Sequence, residues 1–167
     1  MNSIRLATSI LACSSLILCR CGAATEDVEE PPVPVAYELE FSSVAAAVAV
    51  DNIRVTAYPL NEAVSCQDLV NMRRNDLDLP IPAAQTDLFS PCDVRAGAGG
   101  MEVAFGEYAV LAVAFQGSTP MLIGCGAGST DNGSSPIGVS FTLFNNQVSI
   151  PQTTCVHLED KCLGACP

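Results

Sequence analysis

The chain has 167 residues and carries 18 acidic residues against seven Lys and Arg, a formal net charge of −11. Nucleic acid and anionic membrane surfaces are recognised by basic patches, so this acidity argues against both as partners. Tryptophan is absent and aromatic residues make up 5% of the chain, which argues against a surface that stacks sugar rings.

The first 24 residues are typical of a secretion signal. Arg5 precedes an apolar run from Leu6 to Cys19, which is shorter than the roughly 20 apolar residues that a membrane-spanning helix needs. Small residues follow at Gly22 and Ala24, so we expect cleavage after Ala24. The alternative is a buried N-terminal helix, but the order of charge, apolar run and small residues favours export.

Lipid attachment is a second question raised by this segment. Bacterial lipoproteins are cut before a cysteine that then carries acyl chains, and Cys13, Cys19 and Cys21 are the candidates. We favour Cys21, which lies at the right depth before a glycine, although Arg20 stands where a small residue is usual. Free secretion is the alternative, and we expect membrane contact only through such an anchor. Residues 25–34 are acidic and rich in proline, which predicts an extended tether before one domain over 35–167.

Cysteine number agrees with export, because an even set beyond the signal predicts disulfides in an oxidising compartment. The set comprises Cys66, Cys92, Cys125, Cys155, Cys162 and Cys166. Sequence alone does not choose their pairing, but our first choice joins Cys66 to Cys92, since they bracket most of a long irregular segment over residues 75–100. The alternative is zinc at the C-terminal cysteines and His157, which lack the usual Cys-x-x-Cys spacing. We expect no metal.

Alternation of apolar and polar residues predicts a mostly β domain. Tyr37, Leu39 and Phe41 alternate with two glutamates, as in a half-buried strand. The stretch Tyr108–Phe115 is apolar on both faces, as expected of a central strand. Further strands are predicted over residues 53–58, 101–105, 121–123, 137–143 and 148–150.

Helix and loop signals lie between these strands. Ser65 and Asp68 form a capping-box pattern that predicts one short helix. The alanine-rich run Ser43–Val50 fits either a helix or a continued strand. Gly124–Pro136 is rich in Gly and Ser, which predicts a flexible loop. The Gly-rich stretch Gly97–Gly100 leads into a strand rather than a helix, so it does not predict a nucleotide cofactor, and we expect none.

Short strands separated by turns, without a βαβ rhythm, predict an antiparallel β-sandwich with one short helix and a long disulfide-tied loop. The strand–Gly–strand segment Glu102–Phe115 resembles the hairpin of transthyretin-like and immunoglobulin-like extracellular modules. With its signal, acidic tether and scattered cysteines, the chain resembles uncharacterised exported lipoproteins of Gram-negative bacteria. The resemblance implies an outer-membrane or extracellular location and supplies no catalytic residues.

Catalytic signals are weak in this sequence. His157 is the single histidine, so a Ser-His-Asp or Cys-His arrangement would have to use it, and no Gly-x-Ser-x-Gly motif occurs. We therefore expect a non-enzymatic envelope or extracellular module, structural or binding an unknown protein or surface ligand. The alternative is a secreted hydrolase that uses His157 or a pair of acidic residues.

Two further expectations concern binding. Asp76 with Asp78, and the segment Ser129–Gly133, offer oxygen ligands for a calcium-dependent binding module, although neither matches an EF-hand loop. Loops on a rigid scaffold commonly carry recognition, so we expect a partner at Asp76–Cys92 or Gly126–Ser135.

Overall fold

The structure is a computed structural model that describes residues 31–61, 64–94, 98–131, 133–152 and 154–166. The predicted signal over 1–24 and the candidate anchors Cys13, Cys19 and Cys21 lie outside the described residues. Within the described residues the chain forms nine strands and three helices: β1 Val33–Pro34, β2 Tyr37–Glu40, α1 Val44–Ala49, β3 Asn52–Pro59, α2 Cys66–Arg74, β4 Ala84–Gln85, β5 Glu102–Val103, β6 Glu107–Gln116, β7 Thr119–Ser129, β8 Ile137–Ser140, β9 Thr142–Leu143 and α3 Leu158–Cys162.

A five-stranded antiparallel sheet forms the centre of the fold, in the order β4-β3-β6-β7-β9. Its middle strand is β6, where Tyr108–Ala114 is buried throughout, so the prediction of a central strand there is confirmed. Strand β6 turns into β7 at Gly117, whose φ of 57° lies in the left-handed region that glycine adopts at no steric cost. The prediction of a mostly β chain is thereby confirmed.

A second layer covers one face of this sheet. It contains β2, the half-buried strand predicted from its alternation, paired with β8. The two layers enclose a core to which both contribute, and the rings of Phe41 and Phe141 lie 4.9 Å apart at its edge. The buried core side chains include Val50, Ile53, Val55, Val110, Val139 and Phe141.

The prediction of an antiparallel arrangement throughout is wrong for this second layer. Strand β2 runs parallel to β8, with Tyr37 opposite Ile137 and Leu39 opposite Val139. Parallel strands need a long crossover connection, and four of the five strands of the central sheet lie between these two in sequence. A third, two-stranded sheet pairs β1 with β5, so the last residues of the predicted tether, Val33 and Pro34, belong to the fold.

Close approach of the two layers depends on glycines in β7. The predicted loop over Gly124–Pro136 is wrong in its first half, because β7 continues to Ser129. Gly124 and Gly126 face β8, and a Cβ at Gly124 would lie 2.6 Å from the Ser140 carbonyl oxygen. A Cβ at Gly126 would overlap the Gly138 carbonyl oxygen. Glycines at alternate positions therefore mark a strand that another backbone approaches closely.

Helix α2, the predicted helix, lies on the opposite face of the central sheet. Ser65 caps it, and the Asp68 carboxylate accepts from the Ser65 backbone N–H at 3.2 Å, so the capping box is confirmed. Its buried residue, Leu69, packs in a second core on this face of the sheet. The ambiguous alanine run also forms a helix, α1, capped by Ser43, and α3 was not predicted.

Three disulfides cross-link the chain, joining Cys66 to Cys125, Cys92 to Cys162 and Cys155 to Cys166. The predicted bond between Cys66 and Cys92 is therefore wrong. Cys66 begins α2 and lies over β7, which carries Cys125, whereas Cys92 lies beside α3. Because these cysteines are disulfide-bonded, the alternative of a zinc site at Cys155, Cys162 and Cys166 is also wrong.

Candidate functional site

The residues proposed for catalysis or metal binding are not brought together. His157 is exposed at the start of α3, and its backbone N–H donates to the Asp160 carboxylate at 3.2 Å. Asp76 and Asp78 are both exposed, and Asn132 of the second candidate calcium segment lies outside the described residues. Among the described residues, no three His, Cys, Asp or Glu side chains cluster closely enough to hold a metal ion.

A groove of about 450 Å³ in the described part of the chain runs along β2 and is lined mainly by apolar side chains. Five consecutive residues of the chain form one side, so the groove follows the edge of a strand. We call it the β2 groove. Its lining residues are Tyr37, Glu38, Leu39, Glu40, Phe41, Ile53, Pro91, Val94 and Leu158.

The backbone of β2 offers unpaired hydrogen-bonding groups to this groove. The N–H groups of Ile137 and Phe141 donate to the carbonyls of Ala36 and Glu40, at 2.9 and 2.8 Å. In a parallel ladder, such bonds use alternate residues of each strand. The backbone groups of Tyr37 and Leu39 therefore point away from β8, and β2 has no other strand beside it among the described residues.

The opposite wall of the β2 groove comes from distant parts of the sequence. Pro91 lies near the end of the predicted recognition loop, Val94 follows that loop, and Leu158 begins α3. The disulfide between Cys92 and Cys162 holds these two segments together. The wall is thus covalently fixed, although no local pattern in the sequence places it beside β2.

Lys161 fastens α3 to the body of the fold. Its ammonium donates to the carbonyls of Val48 and Val50, at 2.7 and 2.5 Å, and lies 3.5 Å from an Asp51 carboxylate oxygen. Positive charge at the C-terminal carbonyls of α1 is favourable because these carbonyls carry the negative end of the helix dipole. The second wall of the β2 groove is therefore attached to α1 as well as to Cys92.

Polar groups at the groove differ in charge and burial. Tyr37 donates from its phenol to the Gly99 carbonyl at 2.5 Å, and burial raises the pKa of this phenol to about 12. The phenol therefore stays protonated near neutral pH and keeps its hydrogen bond. Glu38 and Glu40 are exposed on the solvent face of β2 and give that side of the groove negative charge.

The predicted recognition loops meet this site in part. Asp76–Cys92 contributes Pro91 to the groove and exposes Leu77, Ile81 and Leu88, of which Ile81 is 89% accessible. Gly126–Ser135 is half strand and does not line the groove. The alternation of apolar and polar residues predicts β2 itself. No local pattern in the sequence predicts its parallel pairing with β8, which leaves the other edge of β2 open.

Comparisons with family models, with curated proteins and with solved structures found no match to this chain. In the described residues, no helix is long and apolar enough to cross a membrane.

Proposed function

We propose that this chain is an exported, non-enzymatic module of the cell envelope or extracellular space that binds a protein partner by strand addition at β2. An extended segment of the partner would pair with the free backbone groups of Tyr37 and Leu39 and lay its side chains in the β2 groove. The open edge of β2 beside this apolar groove is the observation that carries the proposal.

Charge narrows the chemistry of the partner. Glu38 and Glu40 stand along the strand that would be paired, and the chain as a whole has a net charge of −11. Opposite charges on neighbouring strands attract, and complementary fields speed association. We therefore expect a segment in which apolar residues alternate with Lys or Arg.

Location rests on separate support. Three disulfides agree with an oxidising, extracytoplasmic compartment, because such bonds are rare where thiols are kept reduced. Export through the predicted signal, with an anchor at Cys21 or with free secretion, is part of the proposal.

Selection from a displayed library of short random peptides tests the binding site. We expect enrichment of peptides in which apolar and basic residues alternate. We expect Glu38→Lys to lower the affinity for the selected peptides roughly tenfold, because it replaces an attraction by a repulsion. Glu102→Lys is the matched control, since Glu102 is also an exposed strand glutamate but lies on β5. Affinities would be measured by calorimetry.

Failure to enrich any sequence above the starting library would contradict strand addition. Equal weakening by Glu38→Lys and Glu102→Lys would also count against it, because the effect would then reflect total charge rather than the groove.

A further inference from the structure

The face of the central sheet opposite the β2 groove is only partly covered. Helix α2 lies over β6 and β7, tied to β7 by the bond between Cys66 and Cys125. Arg74 holds its other end towards β9 by donating to Thr142 and to the Leu143 carbonyl, at 3.1 and 2.9 Å. A helix about 10 Å wide covers roughly two strands spaced about 4.8 Å apart, so α2 leaves space beside it over β3.

A pocket of about 160 Å³ occupies this open side, between α2, β3 and β6. Its floor combines apolar side chains with the buried Thr56 and Tyr58, and two arginines and one amide complete the lining. We call it the arginine pocket. The lining residues are Arg54, Thr56, Tyr58, Arg73, Leu79, Gln85, Leu111, Val113 and Phe115.

Strand register explains why these side chains converge. Arg54, Thr56 and Tyr58 alternate along β3 and so share one face. Leu111 of β6 lies directly opposite Thr56, and Gln85 of β4 lies opposite it on the other side. Arg73 reaches the same place from the last turn of α2.

The two arginines of this pocket differ from the other described basic residues in the polar partners of their side chains. Lys161 is paired with Asp51, and Arg74 donates hydrogen bonds to both residues of β9. Across the described residues, the guanidinium groups of Arg54 and Arg73 have neither an ion-pair nor a hydrogen-bond partner. In an acidic protein, two such cations facing one pocket are poised to bind an anion.

We propose that the arginine pocket binds a small organic carboxylate, independently of the partner site at β2. The carboxylate would accept from the guanidinium groups of Arg54 and Arg73, which suit planar, two-point recognition of this group. Its apolar body would lie on Leu111, Val113 and Phe115. A cavity of about 150 Å³ accommodates one benzene ring, so the pocket's volume matches a carboxylate of benzoate size.

Titration with benzoate tests this site, with the unmodified protein followed by NMR or calorimetry. We expect weak saturable binding, with Kd on the order of 1 mM, as suits a ligand of so few atoms. Arg54→Gln and Arg73→Gln should each lower the affinity for benzoate at least roughly tenfold, because each removes a pair of charge-assisted hydrogen-bond donors. Arg74→Gln is the matched control, with the same loss of charge on the same helix, and should leave the affinity within about twofold.

Several outcomes would overturn the proposal. These are no saturable benzoate binding to the unmodified protein, equal weakening by Arg74→Gln, and phosphate binding as tightly as benzoate, which would leave the apolar floor without a role. If Arg73→Gln fails to fold, the exposed Arg54 still provides the test, because its side chain makes no hydrogen bond or ion pair with the described residues.

Discussion

Replacing Gly126 by alanine should lower the free energy of unfolding by about 3 kcal/mol, because the new Cβ would overlap the Gly138 carbonyl oxygen. That oxygen belongs to the backbone of β8 and cannot move without disturbing the β2–β8 pairing. Relief would therefore require the whole second layer to shift away from the central sheet. Urea denaturation, followed by circular dichroism, measures the loss.

Gly138→Ala is the control for this change, because it makes the same substitution on the facing strand. Nothing lies within 4 Å of a Cβ at Gly138. Its effect should stay within about 0.5 kcal/mol, as for other surface substitutions. Similar losses for the two variants would mean that the layers are not in the close contact described.

Removing the bond between Cys66 and Cys125 as a double serine variant should cost about 4 kcal/mol. The reason is that this bond closes a loop with a sequence separation of 59, and it restricts the unfolded chain more than a short loop does. Denaturant unfolding of the oxidised proteins gives the difference.

The bond between Cys155 and Cys166 supplies the comparison, because its separation is 11. Its removal should cost less, about 3 kcal/mol by the same loop-entropy relation. The pairing itself can be read by mass spectrometry of peptides from the non-reduced protein. A peptide linking Cys66 to Cys92 would contradict the structure.

Local patterns in the sequence identified much of the framework. Alternation at Tyr37, Leu39 and Phe41 placed β2, and the continuous apolar stretch Tyr108–Phe115 placed the middle strand β6. The capping box at Ser65 placed the start of α2. These signals were readable because each depends on residues that are neighbours in the chain.

Features that depend on distant residues were not predicted. The parallel pairing of β2 with β8 joins positions about 100 residues apart, and no hairpin-turn motif in the sequence predicts it. The sequence predicts a loop at the alternating Gly124 and Gly126, because the close approach of β8 that requires these glycines depends on tertiary structure. The Cys66–Cys92 prediction failed for the same reason, since proximity along the chain does not determine proximity in the fold.

The candidate sites show the same division. Both are assembled from segments far apart in sequence, so neither the β2 groove nor the arginine pocket follows from a motif. Val94 and Leu158 line the same groove because Cys92 is bonded to Cys162. Arg54 and Arg73 line the same pocket because α2 packs on the sheet beside β3. A list of charged residues could count these arginines but could not show that they share a pocket.

Backbone amide exchange, followed residue by residue in the presence of a selected basic peptide, tests strand addition most directly. We expect the amides of Tyr37 and Leu39 to exchange at least roughly tenfold more slowly in the complex, because each would gain a partner on the open edge of β2. The amides of Glu38 and Glu40 already face β8 and should change less. Protection elsewhere, with Tyr37 and Leu39 exchanging as fast as in the free protein, would contradict the account.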